Sequence, residues 1–386
     1  MVHCRQARRE EYEEIIDFIN YVFSQNEAPH DFKKLLPKLY GDGNNYAEYH
    51  YLITEEEKIK ALVCAMPISY RIGERKLKAC CIGMVSVHPY ARSKGYMKQL
   101  LSFVTEELKT QGYQYIFLGG QRQRYEYFGF EPSGVQVRFT VTETNVRHCL
   151  KEVDASSVEL VPLKEKELIS QAYALYEKQP VKAIRKEDEF YDILCSWQCK
   201  PYGIQINSEF AGYLCLSQDG GVNEIFLKNT EDYPYALKAL AGFKGNERNT
   251  FVASPLEADK INFLMKLAES YEIGTCENYL ILDWKEVIEA LLAAKAGVEF
   301  LEEGSLIIKI GKNNFEIKLK DNVPSVGKVE LAADITLSEL EAAALLFSYA
   351  GDFKLPLYGK NLDAGKRNCI KSWFPLPLNV QPVDCC

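Results

Sequence analysis

The sequence of 386 residues predicts a mixed α/β (α+β) fold, in which three segments follow one another along the chain. Apolar strand-like runs alternate with amphipathic helices from end to end. The clearest transition joins strand 85–87 through a basic glycine loop to a helix. The apolar residues of that helix recur at the spacing of one helical face: Met97, Leu100, Leu101, Val104 and Leu108.

The loop before this helix carries Arg92, Lys94 and Gly95. The first turn of a helix leaves backbone N–H groups unpaired and carries the positive end of the helix dipole. A glycine there lets a ligand approach the backbone closely, so the loop suits a pyrophosphate. Neither the P-loop pattern nor Gly-x-Gly-x-x-Gly after a strand occurs in the sequence, which excludes those two nucleotide sites.

Residues 1–150 are predicted to form the first domain. Its predicted elements are strand 2–6, helix 10–23, strands 49–54, 60–70 and 77–87, a helix to about residue 110, strand 115–118, and strand 136–142, which closes the domain.

Residues 151–283 and 284–386 are predicted to form a second and a third domain. The predicted elements of the second are helix 165–177, strands 203–207, 209–217 and 224–228, helices 232–243 and 255–268, and strand 279–282. Those of the third are helix 284–296, strands 300–301, 305–310, 314–320 and 330–334, helix 336–347 with Thr336 and Glu339 as its capping box, and segment 351–357 before a tail.

The composition is that of a soluble globular protein, with 47% hydrophobic and 26% charged residues. The first residues lack the apolar core of a signal peptide, and no apolar run is long enough to span a bilayer, so we expect a cytoplasmic protein. The twelve cysteines include no Cys-x-x-Cys pair and are expected to be reduced. The five histidines lack ligand spacing, so no metal is expected.

The charge is unevenly distributed. Residues 1–150 carry 20 Lys and Arg against 18 Asp and Glu, a net charge of +2. Since the whole chain has a net charge of −8, residues 151–386 carry −10. A slightly basic first part suits an anionic cofactor. An acidic remainder favours a cationic acceptor and argues against a nucleic-acid partner, although it could equally serve only solubility.

The run Arg92-x-x-Gly95-x-Met97, with the strand before it and the helix after it, resembles the acetyl-CoA motif of the GNAT N-acetyltransferases. The usual motif ends in Gly or Ala, where this chain has Met97. The resemblance implies that strand 85–87 binds the pantetheine arm and the loop binds the pyrophosphate. The implied cofactor-binding residues are Val85, Ser86, Val87, Arg92, Ser93, Lys94, Gly95, Tyr96, Met97, Lys98, Gly120 and Gln121.

The order of segments resembles the enhanced-intracellular-survival (Eis) family over essentially the whole chain. That family implies two tandem acetyltransferase folds, the second degenerate because it has no Arg-x-x-Gly loop, and then a sterol-carrier-like domain. An unrelated α/β fold remains the alternative for the second domain, and a packing domain without lipid for the third. The family also implies a homo-oligomer, a trimer or hexamer, and an amine acceptor on an aminoglycoside, a polyamine or a lysine-like group.

Acetyl transfer to an amine needs a neutral amine, a stabilised oxyanion and a proton for the leaving thiolate. The segment Tyr125-Glu-Tyr-Phe-Gly-Phe130 resembles the family segment whose first Tyr is that acid, which implies Tyr125, with Tyr127 as the alternative. The family's base is the α-carboxylate of the last residue, here Cys386, although relatives more often end in an aromatic residue. His88 and Glu126 are the alternative bases.

A second function remains open on the sequence alone. The chain could bind acyl-CoA or lipid without catalysis, through its first or third domain. A cofactor loop kept together with the tyrosine favours the enzyme.

Overall fold

The computed structural model describes residues 3–25, 28–243, 248–349 and 362–386. These residues form β-sheets of eight, seven and four strands, with helices packed against each. The first third of the chain contains β1 (His3–Gln6), α1 (Tyr12–Ser24), α2 (Phe32–Leu35), α3 (Pro37–Tyr40), β2 (His50–Glu55), β3 (Lys58–Ile72), β4 (Arg75–Val87), α4 (Tyr96–Thr110), β5 (Tyr115–Leu118), α5 (Arg122–Tyr125) and β6 (Glu131–Ser133).

The middle of the chain contributes all seven strands of the second sheet. Its elements are β7 (Gln136–Thr142), α6 (Glu143–Cys149), β8 (Val158–Pro162), α7 (Lys166–Tyr176), β9 (Val181–Ala183), α8 (Glu187–Cys195), β10 (Lys200–Ile206), β11 (Glu209–Leu216), β12 (Gly221–Leu227), α9 (Tyr233–Ala241), β13 (Arg248–Ala253), α10 (Ala258–Leu267), β14 (Ser270–Gly274) and β15 (Glu277–Ile281).

The last part forms the four-stranded sheet with its helices. Its elements are α11 (Trp284–Ala296), β16 (Gly304–Ile310), β17 (Asn313–Lys320), β18 (Val323–Val329), β19 (Ile335–Leu337), α12 (Glu339–Phe347) and α13 (Ala364–Trp373). The predicted helix 284–296 and the two long strands are confirmed within one residue at each end.

The first two sheets exchange strands across the predicted domain boundary: β9 and β15 join the first sheet, and β7 joins the second. The first has the order β1-β2-β3-β4-β5-β15-β6, with β9 paired to β3, and the second has the order β14-β7-β13-β12-β11-β10-β8. The prediction that strand 136–142 closes the first domain is therefore wrong, because β7 lies between β13 and β14. Strand 279–282, expected in the second domain, corresponds to β15 and lies between β5 and β6. Alternation of apolar residues marks a strand but does not select its partner.

Two predictions in the last part are also wrong. Residues 300–301 and 330–334 are not strands, and β18 and β19 complete the sheet instead. The capping box lies two residues later than predicted, because Thr336 belongs to β19 and pairs with Lys309. Ser338 accepts the N–H of Glu341 at 3.2 Å, and Glu341 accepts the N–H of Ser338 at 2.9 Å. The predicted segment 351–357 lies outside the described residues.

Helix α4 follows its predicted face. Leu100, Leu101, Val104 and Leu108 are buried, and the helix packs against β2, β3 and β4. All twelve cysteines are free thiols. Among the described residues, every helix is too short or too polar to cross a membrane, and no group of three His, Cys, Asp or Glu side chains is placed to hold a metal ion.

Candidate active site

The first sheet opens where β4 leaves β5. Their parallel ladder runs from Ala79 opposite Tyr115 to Ile82 opposite Leu118, and β4 then continues to Val87 beside β3 alone. A bulge interrupts the pairing of β4 with β3 at this point, and Met84 adopts a positive φ of 52°. The strands thus part after Ile82, with one strand edge accessible to a ligand. We call the parting of the strands at Gly83 and Gly119 the mouth.

The predicted cofactor loop forms one wall of a cavity of about 420 Å³. Gly95 precedes α4 with a φ of 78°, a conformation that glycine adopts without strain, and the first turn of α4 begins at Tyr96. Most of the predicted cofactor-binding residues of the loop line the cavity: Val87, Arg92, Ser93, Gly95, Tyr96, Met97 and Lys98. Four further residues, which were not predicted to bind the cofactor, complete the lining: Ala91, Arg124, Tyr127 and Phe128.

Lys94 is turned away from this cavity. Its ammonium pairs with Glu55 at 3.1 Å, and Tyr96 also donates to Glu55. These hydrogen bonds from Tyr96 and Lys94 lower the pKa of Glu55. The cationic side chains that line the cavity are therefore Arg92, Lys98 and Arg124.

Val85, Ser86, Gly120 and Gln121 lie around the mouth but outside that lining. Ser86 is buried, and its hydroxyl has no hydrogen-bond partner among the described residues. A buried hydroxyl without a partner is unfavourable in the free protein.

Tyr125 lies on α5 directly beside the mouth. A Cβ atom at Gly120 would lie 2.6 Å from a Tyr125 ring carbon, and the φ of Gly120 is 138°, so only glycine fits there. The Tyr125 side chain is buried, with 6% of the residue exposed, and its ring meets the edge of Phe130. Burial raises the pKa of Tyr125, which keeps the phenol protonated at neutral pH. Tyr127 is 68% exposed and lies under the ammonium of Lys98 in the cofactor cavity.

Cys386 lies against the other strand of the mouth. A Cβ atom at Gly83 would lie 2.8 Å from the carbonyl carbon of Cys386 and 2.6 Å from its sulfur. The N–H of Cys386 donates to the Cys81 sulfur at 3.2 Å. Glycine at position 83 therefore leaves room for the terminal residue against β4.

Glu277, which the sequence did not indicate, lies on the opposite side of the mouth. One of its carboxylate oxygens would be 3.3 Å from a Cβ at Gly119, and the other accepts from the Cys385 thiol at 3.5 Å. Burial raises the pKa of Glu277. Only the exchange of β15 into the first sheet brings this residue to the mouth, so no local signal predicts it.

A second cavity, of about 380 Å³, adjoins the mouth from the second sheet and the tail. Its charged lining residues are Arg138, Asp219 and Glu277, and Cys385 lies on its wall. Hydrogen bonds from Ser217 and the Gly221 N–H lower the pKa of Asp219. This wall therefore carries two carboxyl groups and one guanidinium.

The two alternative bases have other partners. The ring of His88 accepts the N–H of Tyr90 at 3.3 Å and contacts Tyr21. Glu126 pairs with Arg122 at 3.2 Å on a half-exposed surface. Both contacts are those of structural side chains.

A buried histidine lies two strands away from Gly83. His50 pairs with Cys64, which in turn pairs with Gly83. Its Nδ1 donates to the Tyr46 carbonyl at 3.1 Å, so its Nε2 accepts the Tyr40 hydroxyl at 2.8 Å. Burial lowers the pKa of His50 from 6.5 to about 4.

This histidine should destabilise the fold in mild acid. The unfolded chain binds the proton more strongly, so the stability is present above pH 6.5 and is lost as the pH falls towards 4. We expect a loss of about 3 kcal/mol, at about 1.4 kcal/mol per pH unit. Denaturant unfolding of His50→Gln should lack this part of the acid dependence. The same change at the exposed His148 should leave it as in the unchanged protein, and equal curves for all three proteins would contradict the assignment.

Comparison with known proteins identifies the first part of the chain. Residues 3–133 match the family model of the acetyltransferase (GNAT) domain. This part therefore resembles an acetyltransferase domain, and the match contains both the cofactor loop and Tyr125. No curated protein matches the sequence.

Solved structures share the fold over the whole chain. They include a "probable N-acyltransferase" from Enterococcus faecalis, 15% identical, covering 98% of this chain and 97% of that one with a TM-score of 0.69. A GCN5-related N-acetyltransferase from Anabaena variabilis is 15% identical, covers 100% of both chains and has a TM-score of 0.68. Eis1 from Mycobacterium abscessus is 14% identical, covers 99% and 98%, and has a TM-score of 0.65. At such identities the likeness establishes the fold alone.

Proposed function

We propose that the protein is an N-acetyltransferase that moves the acetyl group of acetyl-CoA to a primary amine by direct attack in a ternary complex. The observation that carries this proposal is the mouth. The cofactor loop, Tyr125, Glu277 and the chain terminus converge there from separate parts of the chain.

The cofactor site fits a pantetheine pyrophosphate. The first-turn N–H groups of α4 and the side chains of Arg92, Lys98 and Arg124 would hold the phosphates. The edge of β4 beyond Ile82 would hold the pantetheine arm. Acetyl-CoA supplies the thioester that the amine attacks.

The proton steps need one acid and one base. Tyr125 would donate its phenol proton to the CoA thiolate as the carbon–sulfur bond breaks. The attacking amine would lose a proton to one of two carboxylates, that of the terminal Cys386 or that of Glu277. A terminal carboxyl has a pKa of about 3.5 in water. Because burial raises the pKa of Glu277, an acid limb of the rate profile that disappears in Glu277→Gln would assign the base to Glu277.

The amine would enter through the cavity that contains Asp219 and Glu277. Two carboxylates against one arginine favour a cationic acceptor, in line with the −10 charge of residues 151–386. We propose an aminoglycoside, a polyamine or a lysine-like group. We further propose that the last part of the chain is a sterol-carrier-like domain, and that the protein is a cytoplasmic trimer or hexamer.

The test is incubation with acetyl-CoA and three amine classes, namely spermidine, an aminoglycoside and a lysine peptide. We expect release of the CoA thiol, together with an acetylated amine seen by mass spectrometry. Tight acetyl-CoA binding without thiol release for any amine would overturn the proposal and favour the non-catalytic acyl-CoA-binding alternative.

The two lysines of the cofactor loop provide a separate prediction. Lys98→Met should raise the Kd for acetyl-CoA about tenfold, because it removes a charge that faces the proposed phosphate site. Lys94→Met is the matched control and should change the Kd by less than about twofold, since Lys94 pairs with Glu55 outside the cavity. Calorimetric titration measures both, and equal losses would place the phosphates elsewhere.

A further inference from the structure

We propose that Lys38 and Arg185 are positioning residues, which together clamp the C-terminal tail so that Cys386 is held at Gly83. The inference rests on the proposed function only for its effect on turnover. The clamp itself concerns only where Cys386 is held in the structure.

Lys38 holds the backbone of the tail. Its ammonium, on α3, donates to the carbonyls of Val383 and Cys385, both at 2.6 Å, although Lys38 is only 8% exposed. The indole N–H of Trp197 donates to the same Cys385 carbonyl at 3.2 Å. Buried lysines need partners of this kind, because an unpaired ammonium inside a protein is strongly unfavourable. Here the partners are the last carbonyls before the terminal residue.

Arg185 holds the side chain between those two carbonyls. Its Nε and Nη2 donate to the two oxygens of Asp384, at 2.9 and 3.0 Å. Its Nη1 and Nη2 donate to the two oxygens of Glu224. All three side chains are buried. Tyr213 donates to Glu224 at 3.0 Å, which fixes that carboxylate in turn. With Lys38, the clamp contains two cationic and two anionic groups.

The clamp restricts the position of the one residue that lies beyond it. Residues 383 to 385 are tied through two carbonyls and one carboxylate, so only Cys386 extends beyond the last tie. Its own N–H is held by Cys81, and Gly83 leaves the space that it occupies. Buried ionic groups contribute little net stability but can specify one arrangement. This network specifies that the terminal residue lies at the mouth.

The charges of the clamp come from parts of the chain far apart in sequence. Lys38 lies on α3, which belongs to the first part of the chain. Arg185 lies between β9 and α8, and Glu224 lies on β12. Asp384 lies in the tail. The mouth is therefore complete only when the tail lies between the first two sheets.

Lys295 offers a matched control. It is also a buried lysine, and its ammonium donates to two carbonyls, those of Trp373 and Pro375, at 3.3 and 3.2 Å. Lys295→Met therefore removes a similar pair of bonds, but on α11 and away from the last residues of the chain. Lys38→Arg is the conservative variant, which keeps a cationic donor.

The experiment measures alkylation of Cys386 by iodoacetamide in the full chain without acetyl-CoA, using mass spectrometry of the C-terminal peptide. The exposed Cys149 is the internal reference. We expect Lys38→Met to speed Cys386 labelling about 10- to 100-fold, since losing bonds to a charged group raises the open population by that order. Lys295→Met should leave the labelling rate unchanged, and Lys38→Arg should restore part of the protection.

Turnover supplies the second readout. Lys38→Met should lower kcat about tenfold or more with the KM for acetyl-CoA within about twofold, because the cofactor loop is untouched. If Lys38→Met misfolds, as circular dichroism would show, Asp384→Asn replaces it with the same expectation. Labelling no faster than in the unchanged protein would overturn the clamp. Faster labelling in a chain that acetylates no amine would support the clamp while rejecting the proposed function.

Discussion

Replacing Tyr125 with Phe should lower kcat about 100-fold or more, the usual contribution of a positioned general acid. The change removes only the phenol oxygen. The ring keeps its contacts with Gly120 and with the edge of Phe130, so the fold around the mouth should be preserved. We therefore expect the Kd for acetyl-CoA to stay within about twofold, because no phosphate contact is altered. Steady-state release of the CoA thiol and calorimetric titration measure the two quantities.

Tyr127→Phe is the control for this experiment. Tyr127 differs from Tyr125 by two positions and lies in the cofactor cavity under Lys98. Its hydroxyl is not beside Gly120, so its loss should leave kcat nearly unchanged. A large loss in Tyr127→Phe with full activity in Tyr125→Phe would exchange the two assignments. Full activity in both would place the proton donor elsewhere.

The cofactor loop was predictable because its determinants are local. A strand, a glycine that can adopt positive φ, and an amphipathic helix lie within 24 residues, from Val85 to Leu108, and each has its own sequence pattern. The sequence did not predict that the Lys94 side chain points away from the cofactor cavity. Its partner is Glu55, at the end of β2, and a loop lysine that pairs there has the same local sequence as one that faces a phosphate.

The rest of the mouth depends on contacts between distant parts of the chain. Lys38 lies in a lysine-containing stretch that resembles a solvated surface. Its partners, however, are the carbonyls of Val383 and Cys385, which are 345 and 347 positions further along the chain. Glu277 reaches Gly119 only because β15 inserts beside β5. Hydrophobic alternation determines which face of a strand is buried but not which neighbour the strand takes. The sequence therefore indicates the cofactor side of the mouth better than the acceptor side.

Replacing Arg185 with Met should lower the free energy of unfolding by about 3 to 5 kcal/mol, the cost of leaving buried charges without their partner. Asp384 and Glu224 would both remain buried, and each would lose the guanidinium that neutralises it. Denaturant unfolding measures the loss. Arg75→Met is the control, since the Arg75 side chain is 39% exposed where it pairs with Glu289, and it should cost less than about 1 kcal/mol.

A triple variant, in which the buried carboxylates are neutralised together with Arg185, separates the effect of Arg185 on the stability of the fold from its effect on the position of Cys386. Combining Arg185→Met with Asp384→Asn and Glu224→Gln removes the stranded charges together with the arginine. Much of the lost stability should return, because replacing a whole buried ionic group is often nearly neutral. Turnover should stay low, because no ionic tie would hold the tail at residue 384. If activity returned together with stability, Arg185 would support the fold without positioning Cys386, and the clamp would reduce to Lys38 and Trp197.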